Sequence, residues 1–151
     1  MVEYFGIFFN KENSKIISDN EKQRLEFLPN NFHCTFAFRP NEIELFNQFV
    51  GQNVDVSLIG YGNNNENSGF EIAFDDKFKD LFKNFDINNT PKTPHITTSL
   101  ANGARAVNTC NLRFEPINPV TITGRFGFFV IENNKGFISF EKQKTIQQEK
   151  I

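Results

Sequence analysis

The sequence predicts an α+β domain with more strand than helix, built largely of antiparallel sheet. Three observations carry that expectation. Short runs of alternating apolar and aromatic residues recur between Asn-, Gly- and Pro-rich breaks. Only one segment, 75–85, shows a well-formed helical apolar stripe. A loose repeat of strand, helix and strand occupies each half, and the last strand of each repeat carries a histidine near its start. Two such lobes related by a pseudo-twofold axis would bring those strands together in a central cleft, with the helices outside. At 151 residues the chain forms one domain, 1–151, long enough for a core of its own.

The elements follow in order. Residues 2–9 are apolar and aromatic up to Asn10, an opening strand. Residues 11–28 are charged, with Ile16, Ile17, Leu25 and Leu28 able to line a helix face. Pro29-Asn30-Asn31 is a turn that delivers the chain into a strand over 32–38. Pro40-Asn41 caps a short helix over 42–49. Val54, Val56 and Leu58 alternate up to Gly60-Tyr61-Gly62, a strand. A flexible loop over 63–68 then joins it to a strand over 69–74 as a hairpin. Phe78, Leu81, Phe82 and Phe85 fall at i, i+3, i+4 and i+7 of the 75–85 helix. A turn over 88–94 leads into the second histidine strand, 94–100, and a loop follows over 102–105. Residues 121–132 and 137–140 form a final hairpin across Asn133-Asn134-Lys135-Gly136, and the polar tail after Glu141 frays or makes a short helix.

Composition narrows the function classes. The chain has 20 Phe, no Trp and one Met. Phe8, Phe36, Phe38, Phe126 and Phe128, at strand-like period two, read as core. A net charge of −2 and a pI near 5.7 disfavour long nucleic acids held by phosphate contacts alone, while small anionic ligands remain compatible. No run approaches the 18 apolar residues of a membrane span, and no basic-then-apolar leader opens the chain. The expected setting is soluble and cytoplasmic, with no membrane partner and the chain acting as a monomer. Cys34 and Cys110 give no disulfide framework. Cys34 reads as a core residue, and no metal-ligand spacing occurs, so neither metal nor cofactor is expected.

The chemistry-bearing signal is a symmetric pair. The only two histidines each precede a threonine by two residues, in His33-Cys34-Thr35 and His95-Ile96-Thr97. Side chains alternate along a strand, so His33 shares a face with Thr35, and His95 with Thr97. Two imidazoles can serve as base and acid, and two hydroxyls can hold a phosphate between them. Such a histidine, taken singly, is more often structural. Tyr61 reads equally as a cleft-facing aromatic or a hairpin residue, Arg105 as a phosphate-steering or a solvated cation, and Tyr4 as a base-stacking or a core ring.

Two His-x-Thr motifs about 60 residues apart, with Pro94 before the second, resemble the two-histidine (2H) phosphoesterase superfamily. Gly60-Tyr61-Gly62, 94–100 and 102–108 are most similar to its tRNA-ligase-like, RNA-repair-like branch. Thr98 departs from the pattern, which has an apolar residue there. The resemblance implies a bilobal fold, two antiparallel sheets around a central cleft. It further implies a metal-independent phosphodiesterase with His33 and His95 as catalytic pair and Thr35 and Thr97 on the phosphate. Tyr61, Arg105 and Tyr4 are possible further substrate contacts. The implied substrates are 2′,3′-cyclic phosphates from RNA processing, or cyclic and 2′-5′-linked oligonucleotides used as immune messengers. Two alternatives are a non-catalytic binder that sequesters a cyclic nucleotide in the same cleft, and an interaction protein with an exposed apolar patch.

Overall fold

In a computed structural model that describes residues 2–83 and 92–143, seven strands form one antiparallel sheet. The elements are β1 (Val2–Phe8), α1 (Lys11–Asn20), β2 (His33–Phe38), α2 (Ile43–Asn47), β3 (Asn53–Asn63), β4 (Asn67–Phe74) and α3 (Asp76–Phe82). They continue with β5 (His95–Leu100), a 3-10 helix (Ala106–Asn111), β6 (Glu115–Glu132) and β7 (Lys135–Ser139). The strand order is β2-β1-β6-β3-β4-β5, with β7 also paired to β6.

The α+β class and the antiparallel sheet are as expected, but the expected pair of sheets is a single one. Its physical reason is the length of β6. Residues 115–125 pair with β3 and residues 125–130 with β1, so one strand joins the β2–β1 part of the sheet to the β3–β4–β5 part. The two histidine strands terminate the order. β2 pairs antiparallel with β1, and β5 with β4. The sheet curves until β2 and β5, at its two ends, approach within 8 Å between Cα atoms, without a hydrogen-bonded ladder between them among the described residues.

Phenylalanine fills the space this curvature creates. Phe5, Phe36, Phe46, Phe70, Phe78 and Phe126 are among the largest fully buried side chains, each worth about 1.5–3 kcal/mol of burial. Phe36 meets Phe126 and Phe82 edge-on at 5.2 Å, and Phe74 at 5.2 Å in a tilted pair. These contacts tie β2 to α3, β4 and β6. Ile7, Cys34, Leu58 and Ile96 are buried among them.

Several expected boundaries move. The first helix stops at Asn20 rather than running to Leu28, because Glu21 turns into extended backbone and carries its carboxylate across the chain to three hydroxyls. The start of α2 has Glu42 as its N-cap, without a side-chain cap, so Pro40-Asn41 does not supply one. The loop over 63–68 is a tight turn pinned by its own amides: Asn63 Oδ1 accepts from the Asn65 N–H, and Asn64 Oδ1 from those of Glu66 and Asn67. Strand β6 begins six residues before Thr121. Pro116 and Pro119 are accommodated where its register against β3 breaks, between Leu58 and Gly60. Phe38, expected in the core, is 45% exposed. Phe85, the 88–91 part of the second turn, and the tail from 144 lie outside the described residues. Among the described residues, no helix is long and apolar enough to cross a membrane.

Candidate functional site

Strand alternation sorts each motif onto two faces. Cys34 and Phe36 of β2, and Ile96 of β5, are fully buried in the core. His33 and Thr35, half-buried, take the opposite face of β2, and His95 and Thr97 take that of β5. The end-to-end approach of β2 and β5 then sets the two motifs beside each other. A charge on His95 disfavours one on His33, and the His95 backbone N–H lies against the Cys34 thiol.

Both imidazoles are held in the same way. His33 Nδ1 lies 2.8 Å from Asn31 Oδ1, and His95 Nδ1 lies 2.8 Å from the Thr93 carbonyl oxygen, each acceptor two residues upstream of its histidine. A carbonyl can only accept, so the bond fixes the Nδ1–H tautomer on His95. The Asn31 amide oxygen does the same for His33. In both rings the nitrogen left for chemistry is Nε2, which bonds no described residue.

The rings differ in their surroundings. His33 stacks on Tyr4 (centroids 4.9 Å apart, planes 26° apart) and leans on Phe8 at 5.8 Å. Tyr4 in turn stacks on Phe129 at 5.4 Å. Burial in this aromatic wall pushes His33 down to about 4, against the opposing pull of the Asn31 backbone carbonyl, and the nearby His95 lowers it further. His95, 6% exposed, is also lowered by burial, with the Thr93 carbonyl opposing. Near neutral pH both imidazoles are uncharged in the free protein. An anionic ligand between them would favour the charged form of either.

The two threonines are not equivalent. The Thr35 hydroxyl bonds no described residue. That of Thr97 donates to Thr109 Oγ1 at 2.8 Å or to the Ala106 carbonyl at 3.2 Å, both in the 3-10 helix. Of the further sequence candidates, Tyr4 is stacked against His33 on one side and Phe129 on the other, so it positions the imidazole. Burial raises its phenol above the ordinary range. Tyr61 is buried, with its hydroxyl shared between Ser68 Oγ and the Gln23 carbonyl. Arg105 is exposed and borders a cavity beside the 3-10 helix. Cys34 is a core residue whose thiol burial pushes up to about 12. Among the described residues, no three His, Cys, Asp or Glu side chains group as metal donors.

Sequence reasoning missed three contributors. Asn31 reads in sequence only as part of a turn, and the Thr93 carbonyl carries no side-chain signal at all. The third is Glu21, whose side chain is 1% exposed. Its Oε2 accepts from Ser68, Thr98 and Ser99 at 2.6–2.7 Å, and Arg24 lies 3.3 Å from Oε1. This cradle, the Leu25 N–H to Ser99 Oγ bond and the Phe27–Leu100 backbone pair bind the segment before Asn31 to the end of β5. Thr98, the residue that departs from the motif pattern, is one of its hydroxyls. Comparison with protein-family models and with curated proteins finds no match for this chain.

Proposed function

We propose that this protein is a metal-independent phosphodiesterase acting on small nucleotide phosphodiesters: 2′,3′-cyclic phosphates, or cyclic and 2′-5′-linked oligonucleotides. The observation that carries the reading is the matched pair of imidazoles. Two neighbouring histidines, each with Nδ1 tied to an oxygen two residues upstream, offer two Nε2 atoms from facing strands. Displacement at phosphorus requires a proton to leave the attacking oxygen and another to reach the departing oxygen on the far side, and two such nitrogens serve both.

A phosphodiester anion between the strands raises the proton affinity of the imidazoles, so one carries a proton and the other remains neutral. The neutral Nε2 takes the proton of a water, or of a ribose 2′-hydroxyl. The protonated Nε2 gives its proton to the leaving oxygen as the P–O bond breaks. Which histidine takes which part depends on whether the reaction cleaves a chain or opens a ring. The Thr35 hydroxyl donates to a non-bridging oxygen. The Thr97 hydroxyl does so after turning from both Thr109 and the Ala106 carbonyl, and the Thr109 hydroxyl then donates to it. The resemblance of the motifs to the 2H phosphoesterases supports the same reading.

The test is a substrate panel in the presence of EDTA: 2′,3′-cyclic mononucleotides, 2′3′- and 3′3′-cyclic dinucleotides and 2′-5′ oligoadenylate. Each is incubated with the wild type, His33→Ala and His95→Ala. Turnover by the wild type of at least one member, lost by about 10²–10⁴-fold in each variant, supports the enzyme. Stoichiometric binding with release of unchanged ligand on denaturation would replace it with a nucleotide-sequestering protein.

A further inference from the structure

A cavity of about 280 Å³ lies between the start of β4, the 102–105 loop and the 3-10 helix, bordered by Glu66, Asn67, Asn102, Arg105 and Asn108. We propose that it is a nucleobase subsite, taking the base of the nucleoside whose phosphate lies between the two motifs. This placement rests on the phosphodiesterase reading for the position of the phosphate alone.

The link between the two places is a chain of side-chain hydrogen bonds. Asn67 Nδ2 donates to Thr109 Oγ1 at 3.0 Å, and Thr109 Oγ1 is 2.8 Å from the hydroxyl of Thr97. One buried threonine therefore joins a residue of the cavity wall to the motif threonine. Asn67 also donates from Nδ2 to the Arg105 carbonyl at 2.8 Å, and since that oxygen can only accept, the amide orientation is fixed. Its Oδ1 accepts from no described residue, although the side chain is only 1% exposed. A buried acceptor without a donor is destabilising, and a ligand N–H in the cavity would satisfy it.

The wall chemistry suits a base better than a second phosphate. Glu66 and the Asn67 oxygen are acceptors that repel an anion. Arg105 and the amides of Asn102 and Asn108 supply donors beside them. Mixed donors and acceptors match the edge of a nucleobase, and the buried Asn67 oxygen calls for an N–H donor on it. The volume, near the lower end for small-molecule sites, suits one base. Arg105, Asn102 and Asn108 are exposed, and Gly103, with φ +81°, makes the turn that holds them at the rim.

Titration calorimetry with adenosine 2′-monophosphate, uridine 2′-monophosphate and ribose 5-phosphate tests the proposal on the wild type, Arg105→Ala, Asn108→Ala and His33→Ala. The adenine nucleotide should bind about tenfold or more tighter than ribose 5-phosphate, the worth of one or two added hydrogen bonds. So should the uridine nucleotide, whose uracil N3–H is also a donor. Both rim variants should narrow this margin, and His33→Ala should retain it. Binding of ribose 5-phosphate as tight as that of both nucleotides, or a margin untouched in both rim variants, overturns the subsite. The margin without turnover of any panel substrate removes the catalytic reading and leaves the subsite standing; turnover without the margin does the reverse.

Discussion

Replacing His33 by glutamine should flatten the acid limb of the protein's stability curve. Burial between Tyr4 and Phe8 lowers His33 from 6.5 to about 4. Between those values the unfolded chain holds a proton that the folded protein excludes, so stability rises with pH across this window. At about 1.4 kcal/mol per pH unit, the wild type loses about 3 kcal/mol on this account as the pH falls from above 6.5 to below 4. The glutamine variant loses the contact with Tyr4 at every pH, but it has no proton to exclude. His95 and the carboxylates titrate in both proteins and cancel in the comparison, apart from the smaller influence of His95 on His33. Urea denaturation at steps from about pH 8 to about pH 4 measures the difference. The separation between the two curves should change by about 3 kcal/mol toward the variant on the acid side. Parallel curves would refute the burial of His33 in its aromatic wall.

Other outcomes follow from the same contacts. Glu21→Ala strips a shared acceptor from the hydroxyls of Ser68, Thr98 and Ser99 and should cost about 3 kcal/mol or more in thermal or urea unfolding. Asn31→Ala removes the nearer of the two acceptors on His33 Nδ1 and leaves the Asn31 carbonyl at 3.4 Å, which loosens the ring. It should lower turnover about tenfold, the value of one hydrogen bond, and shift the pH–rate profile while the melting temperature moves little. Gly69→Ala places a methyl 2.5 Å from the Ile96 carbonyl and 2.6 Å from the Thr109 side chain. Calorimetric melting should show a loss of about 1–3 kcal/mol, with weakened phosphate binding because Thr109 supports Thr97. Thiol titration of the native protein should leave Cys34, buried and pushed up to about 12, unreacted until denaturant is added.

What was legible in the sequence was whatever depends on local periodicity. The alternation of β2 places Cys34 and Phe36 in the core and His33 and Thr35 opposite them, as the residue pattern requires. The i, i+3, i+4 stripe of Phe78, Leu81 and Phe82 is the buried face of α3. The repeat of strand, helix and histidine strand is present as β1–α1–β2 and β4–α3–β5; the pairing of each histidine strand with the strand before its helix is a finding of the structure. Interactions between residues far apart in the chain were not legible. Glu21 meets hydroxyls 47, 77 and 78 residues away, and no local pattern marks a charged residue as buried. The extent of β6 was not legible either, because it contains Pro116 and Pro119, which only a register shift against β3 admits. Asn31 is a common turn residue, and its amide meets His33 only through the fold of that turn.

With only two histidines in the chain, the imidazole nitrogens give a spectrum that can be read directly. Long-range proton–nitrogen NMR during titration with a nucleoside 2′-monophosphate tests whether one phosphate serves both rings. Protonated Nδ1 in both rings of the free protein, and parallel shifts of both Nε2 signals that fit one dissociation constant, are the predicted result. Movement of a single ring, or of neither, would contradict a shared phosphate site between His33 and His95.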